Sequence, residues 1–101
     1  MELNRNEEAI KDFETFLIYK PDAAVIYNTI GLCYRNQGKF QESLVPINKA
    51  IQMDPQPTFF MNRSYAYYGL NNLELAKKDA LTAKQGGIQI ETNYAKTLGL
   101  Q

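Results

Sequence analysis

The chain has 101 residues, and its 11 Lys and Arg residues are balanced by 11 Asp and Glu residues. A hydrophobic fraction of 45% is enough for the buried core of one small domain. The lack of a basic excess argues against nucleic acid as a partner, because phosphate backbones are bound by clusters of Lys and Arg. No apolar run reaches the roughly 18–20 residues that a bilayer span needs, so we expect no membrane insertion.

Residue types that carry much of catalytic and metal chemistry are scarce. There is no histidine, which excludes a His-based triad and most zinc sites. Gly86-Gly87 lacks the Lys and Ser or Thr of a phosphate-binding loop. The single cysteine, Cys33, cannot form an internal disulfide, which favours a reducing compartment such as the cytoplasm. We therefore expect no enzyme activity, no catalytic residue, no metal and no cofactor, although the sequence is compatible with a fragment of a larger protein.

The first predicted element is an amphipathic helix over residues 1–20. Pro21 ends it, because the residue before a proline is pushed out of the α region. A second helix is predicted over about 23–37, with Asp22 as its N-terminal cap and Gly38 in the left-handed turn that follows. Cys33 takes a small-residue position in this helix, so its thiol is predicted to be buried rather than nucleophilic.

Prolines set the limits of the next two helices. Pro46 lies inside the helix predicted over about 40–53, where it removes one backbone hydrogen bond, so we expect a bend with the helix continuing. Pro57 suits the first turn of a helix over about 57–70, since its missing N–H is not needed there.

The last part of the chain predicts one full helix and a short tail. Asn72 is placed to cap a helix over about 73–85, and Gly86-Gly87 ends it. The tail has too few residues for another such pair of helices, but apolar residues recur in it at helical spacing. Those residues are Ile90, Tyr94, Thr97 and Leu98. We expect a helix that covers the end of the core, with docking on another chain as the alternative.

Residue types recur along the chain at a nearly constant interval. Pro21 and Pro55 are 34 residues apart, as are Phe13 and Ile47. From the middle copy onward the interval is 33, which indicates the loss of one residue near Pro57. The pairs at this second interval are Gly31 and Ser64, Tyr34 and Tyr67, Ser43 and Ala76, and Ala50 and Ala83.

This pattern resembles the tetratricopeptide repeat (TPR), a 34-residue helix–turn–helix unit. The middle copy carries the family's pattern at Tyr27, Ile30, Gly31, Tyr34, Phe40, Ser43, Ile47, Ala50 and Pro55. The resemblance implies an all-α fold, in which antiparallel helix–turn–helix repeats form a right-handed superhelix with a C-terminal capping helix. It divides a single domain over 1–101 into the second helix of an incomplete repeat (1–22), two full repeats (23–56 and 57–87) and the capping helix (88–101).

In this family the first helices of successive repeats line a concave groove that holds a peptide or a partner helix. The resemblance therefore implies a protein or peptide partner and a groove made by residues opposite the packing stripe. Those residues are Val25, Asn28, Thr29, Leu32 and Arg35 in the middle repeat, and Thr58, Met61, Asn62, Tyr65 and Tyr68 in the next.

Asn62 stands where chaperone-binding members of the family have an asparagine that clamps a terminal carboxylate. The rest of that clamp is missing, because Asn28 and Leu32 stand where Lys and Asn are needed. Arg63, the next residue, is predicted to be solvated or to form a salt bridge.

The first helix suggests an alternative function. Its partner within the incomplete repeat is absent, and a repeat helix cannot bury its apolar face alone. The alternative is a self-associating segment that forms a homodimer through this edge. The predicted edge residues are Ile10, Phe13, Phe16 and Leu17.

Overall fold

The computed structural model describes residues 2–100, and the side chains of residues 5–100. The outermost residues of the predicted domain, Met1 and Gln101, lie outside this range. The helices are α1 (Glu2–Tyr19), α2 (Ala24–Asn36), α3 (Phe40–Met53), α4 (Pro57–Gly69), α5 (Leu73–Gln85) and α6 (Thr92–Thr97). Within residues 2–100 there is no strand, so the predicted all-α fold class is confirmed.

Short turns make neighbouring helices antiparallel partners. Helix α2 packs most extensively against α3, and α4 packs most extensively against α5. Helix α4 also packs on α3, and α1 packs on α2. Residues 2–100 therefore form two successive helix pairs, with one further helix before them and one after them. No helix in this part of the chain has both the length and the apolar character needed to cross a bilayer.

Helices α2 and α4 end by a shared geometry, in which a residue of positive φ follows the helix. Gly38 follows α2 with φ of 77° and Asn71 follows α4 with φ of 61°. The Lys39 N–H then donates to the Tyr34 carbonyl oxygen at 2.9 Å, which closes the last turn of α2. Asn72 caps α5 as predicted, because its Oδ1 accepts a hydrogen bond from the Leu75 N–H at 3.3 Å.

Two predictions about helix ends are wrong. Helix α2 begins one residue later than expected, so the capping position falls on Ala23 and has no side-chain bond. Asp22 contributes only its backbone oxygen, which accepts from the Ala24 N–H at 3.1 Å. The helix within 88–101 is also shorter than expected, because Glu91 accepts bonds from the N–H groups of residues 93 and 94 and so caps a helix of six residues.

Small buried residues bring the paired helices close together. Gly31, Ser43 and Ala50 are all buried between α2 and its neighbours, where their small size lets the helix backbones approach each other. Helix α3 continues through Pro46, as expected, and Pro46 is itself buried.

The C-terminal helix is held on α4 and α5 by two buried side chains. Tyr94 and Leu98 join a cluster whose other members are Met61, Ala76, Ala80 and Ala83. Inside this cluster the Ser64 hydroxyl donates to the Ala76 carbonyl oxygen at 2.6 Å. The hydroxyl groups of Ser64 and Tyr94 also form a hydrogen bond of 2.7 Å. These contacts place α6 over the apolar end of the second helix pair.

Candidate peptide-binding site

The face shared by α2 and α4 carries most of the predicted groove residues. Val25 is 57% exposed at one end of this face, and Tyr68 is 44% exposed at the other. Between them lie half-buried side chains that mix apolar and polar groups. These are Thr29, Leu32, Arg35, Asn62 and Tyr65. Thr58, at the start of α4, is exposed.

Asn28 and Met61 are not open groove residues, contrary to the prediction. Asn28 is 5% exposed and Met61 is 7% exposed. They are 33 residues apart and so hold the same position in the two helix pairs. Asn28 faces α4, where its Oδ1 accepts from Asn62 Nδ2 at 3.1 Å, while Met61 packs in the cluster that contains Tyr94. This position faces the first helix of the following unit, so it is covered.

A chain of polar side chains crosses from α2 to α4. Arg35 Nη1 donates to Asn62 Oδ1 at 3.5 Å, and Asn62 in turn donates to Asn28. The Arg35 guanidinium lies over the ring of Tyr65, 5.1 Å from its centroid. Burial lowers the pKa of Arg35, while the nearby phenols of Tyr65 and Tyr94 act in the opposite direction. The guanidinium is therefore held by Asn62 and by the ring of Tyr65, and it is partly removed from water.

A shallow depression of about 370 Å³ opens beside this guanidinium. It is lined by Arg35, Phe40, Tyr65, Tyr68 and Gly69. The tyrosine walls are supported by Tyr94, whose ring centroid lies 4.5 Å from that of Tyr65 and 5.6 Å from that of Tyr68. Aromatic rings fixed by one another offer apolar contact area at a low entropic cost, which suits a peptide-binding surface.

Arg63 forms a salt bridge, one of the two roles considered for it. Its Nε and Nη2 donate to the two carboxylate oxygens of Asp79, both at 2.8 Å, and its Nη1 donates to Asn48 at 3.0 Å. Asp79 is 3% exposed, and this pair raises the pKa of Arg63. The sequence held a signal for the pair, because Arg63 and Asp79 stand 33 residues after Ile30 and Pro46. The second helix pair thus has two opposite charges at the positions where the first helix pair has two buried uncharged residues.

The predicted self-association edge is only partly open. Ile10 is 7% exposed and packs on Ile30 and Cys33 of α2, so it does not belong to an open edge. Phe13 and Leu17 are half-buried against the same cluster. Phe16 is 44% exposed, and the last two residues of α1, Ile18 and Tyr19, are 76% and 81% exposed.

Two antiparallel helix pairs in which equivalent residues recur every 33 positions define a helical-repeat protein. Residues 24–57 match the family model described as tetratricopeptide repeat. This match and the repeated helix pairs together assign the chain to the tetratricopeptide repeat family, which is typical of protein-interaction modules rather than enzymes.

One curated relative is Protein FlbA of Caulobacter vibrioides. It is 34% identical over 83 residues, which cover 81% of this chain. The chain spans only 14% of the length of that protein. No solved structure matches the chain at a significant level.

Proposed function

We propose that the chain is a non-catalytic interaction module that binds a peptide or a helix of a partner protein along the face shared by α2 and α4. The observation that carries this proposal is the polar chain from Arg35 through Asn62 to Asn28, which lies beside exposed aromatic surface. It fixes the side chains of the face before a ligand arrives. A preorganised surface leaves most of the ordering cost to the ligand.

The mixed chemistry of this face supports a protein ligand. Leu32, Tyr65 and Tyr68 supply apolar area, and Arg35 supplies hydrogen-bond donors beside it. Interface centres are rich in Tyr and Arg for this reason. The zero net charge of the chain fits a protein partner better than nucleic acid. The cytoplasmic location stays a prediction from the single cysteine.

Selection of random peptides tests the proposal. Phage-displayed heptapeptides are selected on the protein, and the affinities of the enriched peptides are measured by calorimetry. Replacing Leu32 and Tyr68 together by Ala is expected to weaken binding about a hundredfold, because two hot-spot contacts are lost. The matched control replaces Val45 and Leu81, which are exposed on α3 and α5, and retains binding. Failure to enrich any peptide, or equal losses in both double variants, would show that this face is not a peptide groove.

Self-association is a second candidate function. It rests on the exposed apolar end of α1, where Phe16, Ile18 and Tyr19 fall within about one helical turn. Large exposed apolar side chains that lie together favour protein contacts. Light scattering over a tenfold concentration range tests it. A dimer that becomes a monomer on Phe16→Glu supports the candidate, and a monomer at every concentration rules it out.

A further inference from the structure

We propose that the depression beside Arg35 selects partner segments that carry an internal acidic side chain next to an apolar one. The carboxylate pairs with the Arg35 guanidinium, and the apolar residue packs on Phe40, Tyr65 and Tyr68. This inference rests on the proposed peptide-binding function and specifies the ligand's chemistry.

The positive charge of Arg35 has no acidic neighbour. Among the side chains of residues 5–100, Arg63 and Asp79 form an ion pair, and no carboxylate lies within ion-pair distance of Arg35. The groups that act on the Arg35 charge are the phenols of Tyr65 and Tyr94, not a carboxylate. A half-buried guanidinium without an acidic neighbour has lost part of its hydration and gained no counter-charge. An acidic ligand group would supply that missing counter-charge.

Neighbouring side chains fix the position of the Arg35 guanidinium. Asn62 accepts one of its hydrogen bonds, and the Tyr65 ring supports its planar face. A guanidinium has five N–H donors, so the others remain available for a carboxylate in a two-point contact. Asn62 is itself held by Asn28 at 3.1 Å, so the side chain that orients Arg35 has little freedom to move. Little ordering remains to be done when a ligand binds.

The residues around Arg35 in the depression are mostly apolar. The depression holds one charged residue, Arg35, among three aromatic side chains and one glycine. Gly69 is needed here because a β-carbon at this position would overlap the ring of Phe40. The lining leaves room for an apolar side chain beside the carboxylate. A segment that carries two acidic residues and no apolar one would fill the site poorly.

The burial of Arg35 favours an acidic side chain over a chain terminus. A side-chain carboxylate stands on a flexible stem and can reach a half-buried guanidinium while the ligand backbone stays at the surface. A terminal carboxylate is attached directly to the backbone, which would have to enter the depression itself to reach the guanidinium. The depression is open rather than a closed pocket, so a segment can pass across it.

Two peptide libraries test this inference. One displays random heptapeptides within a longer chain, and the other displays them with free C-termini. The wild-type protein is expected to enrich Asp or Glu next to Leu, Ile, Phe or Tyr in the internal library. A chosen peptide is then compared with its Glu→Gln version by calorimetry, and the loss expected is at least about tenfold.

Arg35→Gln is the decisive variant, because Gln keeps donors for Asn62 but carries no charge. It is expected to bind the Glu and Gln peptides equally and to lose the acidic preference in selection. Lys77→Gln is the matched control, since it removes one positive charge from the exposed face of α5. Thermal melts check that both variants fold.

The outcomes separate this inference from the proposed function. Enriched peptides without an acidic preference, or an acidic preference that persists in Arg35→Gln, would overturn the inference and leave peptide binding standing. Enrichment confined to free C-termini, whatever the side chains, would replace it with a terminal-carboxylate site. If neither library yields a binder, the proposed function fails and the inference fails with it.

Discussion

The side chain of Ile47 occupies the space that a β-carbon on Gly31 would need. Ile47 is fully buried, so α2 and α3 approach each other closely at this point. The equivalent residues in the next helix pair, 33 positions later, are Ser64 and Ala80. In the first helix pair, a glycine faces a large side chain. In the second helix pair, two small residues face each other. The equivalent space between the helices is thus filled in both repeats, but by different combinations of side chains.

This relationship predicts strong coupling between the two positions. Gly31→Ser alone is expected to lower the free energy of unfolding by about 1–3 kcal/mol, because the new side chain meets Ile47. Ile47→Ala alone is expected to cost about 2–5 kcal/mol through the cavity that it leaves. The double variant imitates Ser64 and Ala80 and should lose less than the sum of the two. Urea unfolding of the four proteins measures this, and additive losses would contradict a shared space.

The helix boundaries were largely predictable because single residues set them. Pro57, Gly38 and Asn72 each act within one turn of the backbone, so local chemistry was sufficient. The boundaries predicted for α2 to α5 agree with the structure to within one residue. The predicted Asp22 cap failed because a difference of one residue in the helix start moves the capping position.

The groove was predictable only in part. Helical phase distinguishes a packed face of a helix from an open face, but the first helix of each pair has three faces in different surroundings. One face packs on its partner, one is open, and one lies against the first helix of the following unit. Asn28 and Met61 occupy the third face, and their sequence positions gave no sign of it. The partner of Arg63 was not fixed by the sequence, because Asp79 lies on another helix and only the 33-residue spacing linked both charges to buried uncharged positions.

Loss of the Asp79 carboxylate is expected to destabilise the protein strongly. Asp79→Ala removes both bonds to Arg63 and leaves a largely buried cation, at a cost of about 3 kcal/mol. Replacing both partners, as Arg63→Met with Asp79→Leu, removes the charge as well and should recover most of that loss. Thermal unfolding compares the variants. A double variant that is less stable than Asp79→Ala would contradict this account.

Asn62 is expected to contribute to stability as well as to the candidate groove. Asn62→Ala removes the donor to Asn28, whose amide is buried, and should lower the free energy of unfolding by about 1–2 kcal/mol. The control is Asn36→Ala, because Asn36 is exposed at the end of α2. Binding assays on Asn62 variants therefore need melting curves beside them. Equal stability of the two variants would show that the bond to Asn28 contributes little.

The surroundings of the Tyr94 phenol predict that the protein loses stability at alkaline pH. Burial raises the pKa of its phenol above the ordinary value, the hydrogen bond with Ser64 acts in the opposite direction, and the charges of Tyr65, Tyr68 and Asp79 add to the rise. The contribution of the neutral Tyr94 phenol to folding stability is complete below about pH 10, which is the pKa of a tyrosine in the unfolded chain. As the pH rises through the higher folded pKa, the unfolded state has already lost its proton, so stability falls.

Tyr94→Phe isolates this effect. At pH 7 it should cost about 1 kcal/mol, because the bond to Ser64 is lost. Above about pH 10 the variant should lose less further stability than the wild type, since Phe cannot ionise. Tyr19→Phe is the control, because Tyr19 is 81% exposed. Denaturant unfolding at several pH values measures the difference, and parallel curves for wild type and Tyr94→Phe would refute the role of the phenol.

The thiol of Cys33 reports on the packing of α1 against α2. Cys33 is 7% exposed in a cluster with Ile10 and Ile30, and burial raises the pKa of its thiol. A raised pKa lowers the fraction of thiolate, which is the reactive form, and the cluster blocks access. Native protein at pH 8 should therefore react with a disulfide reagent about a hundred times more slowly than unfolded protein.

Ile10→Ala removes part of the cluster that covers the Cys33 thiol, so it should speed the reaction of the native protein. Val45→Ala, on the exposed side of α3, should not. Fast labelling of the native wild type would mean that α1 does not stay packed on α2, and the candidate interface at its end would then need a different explanation.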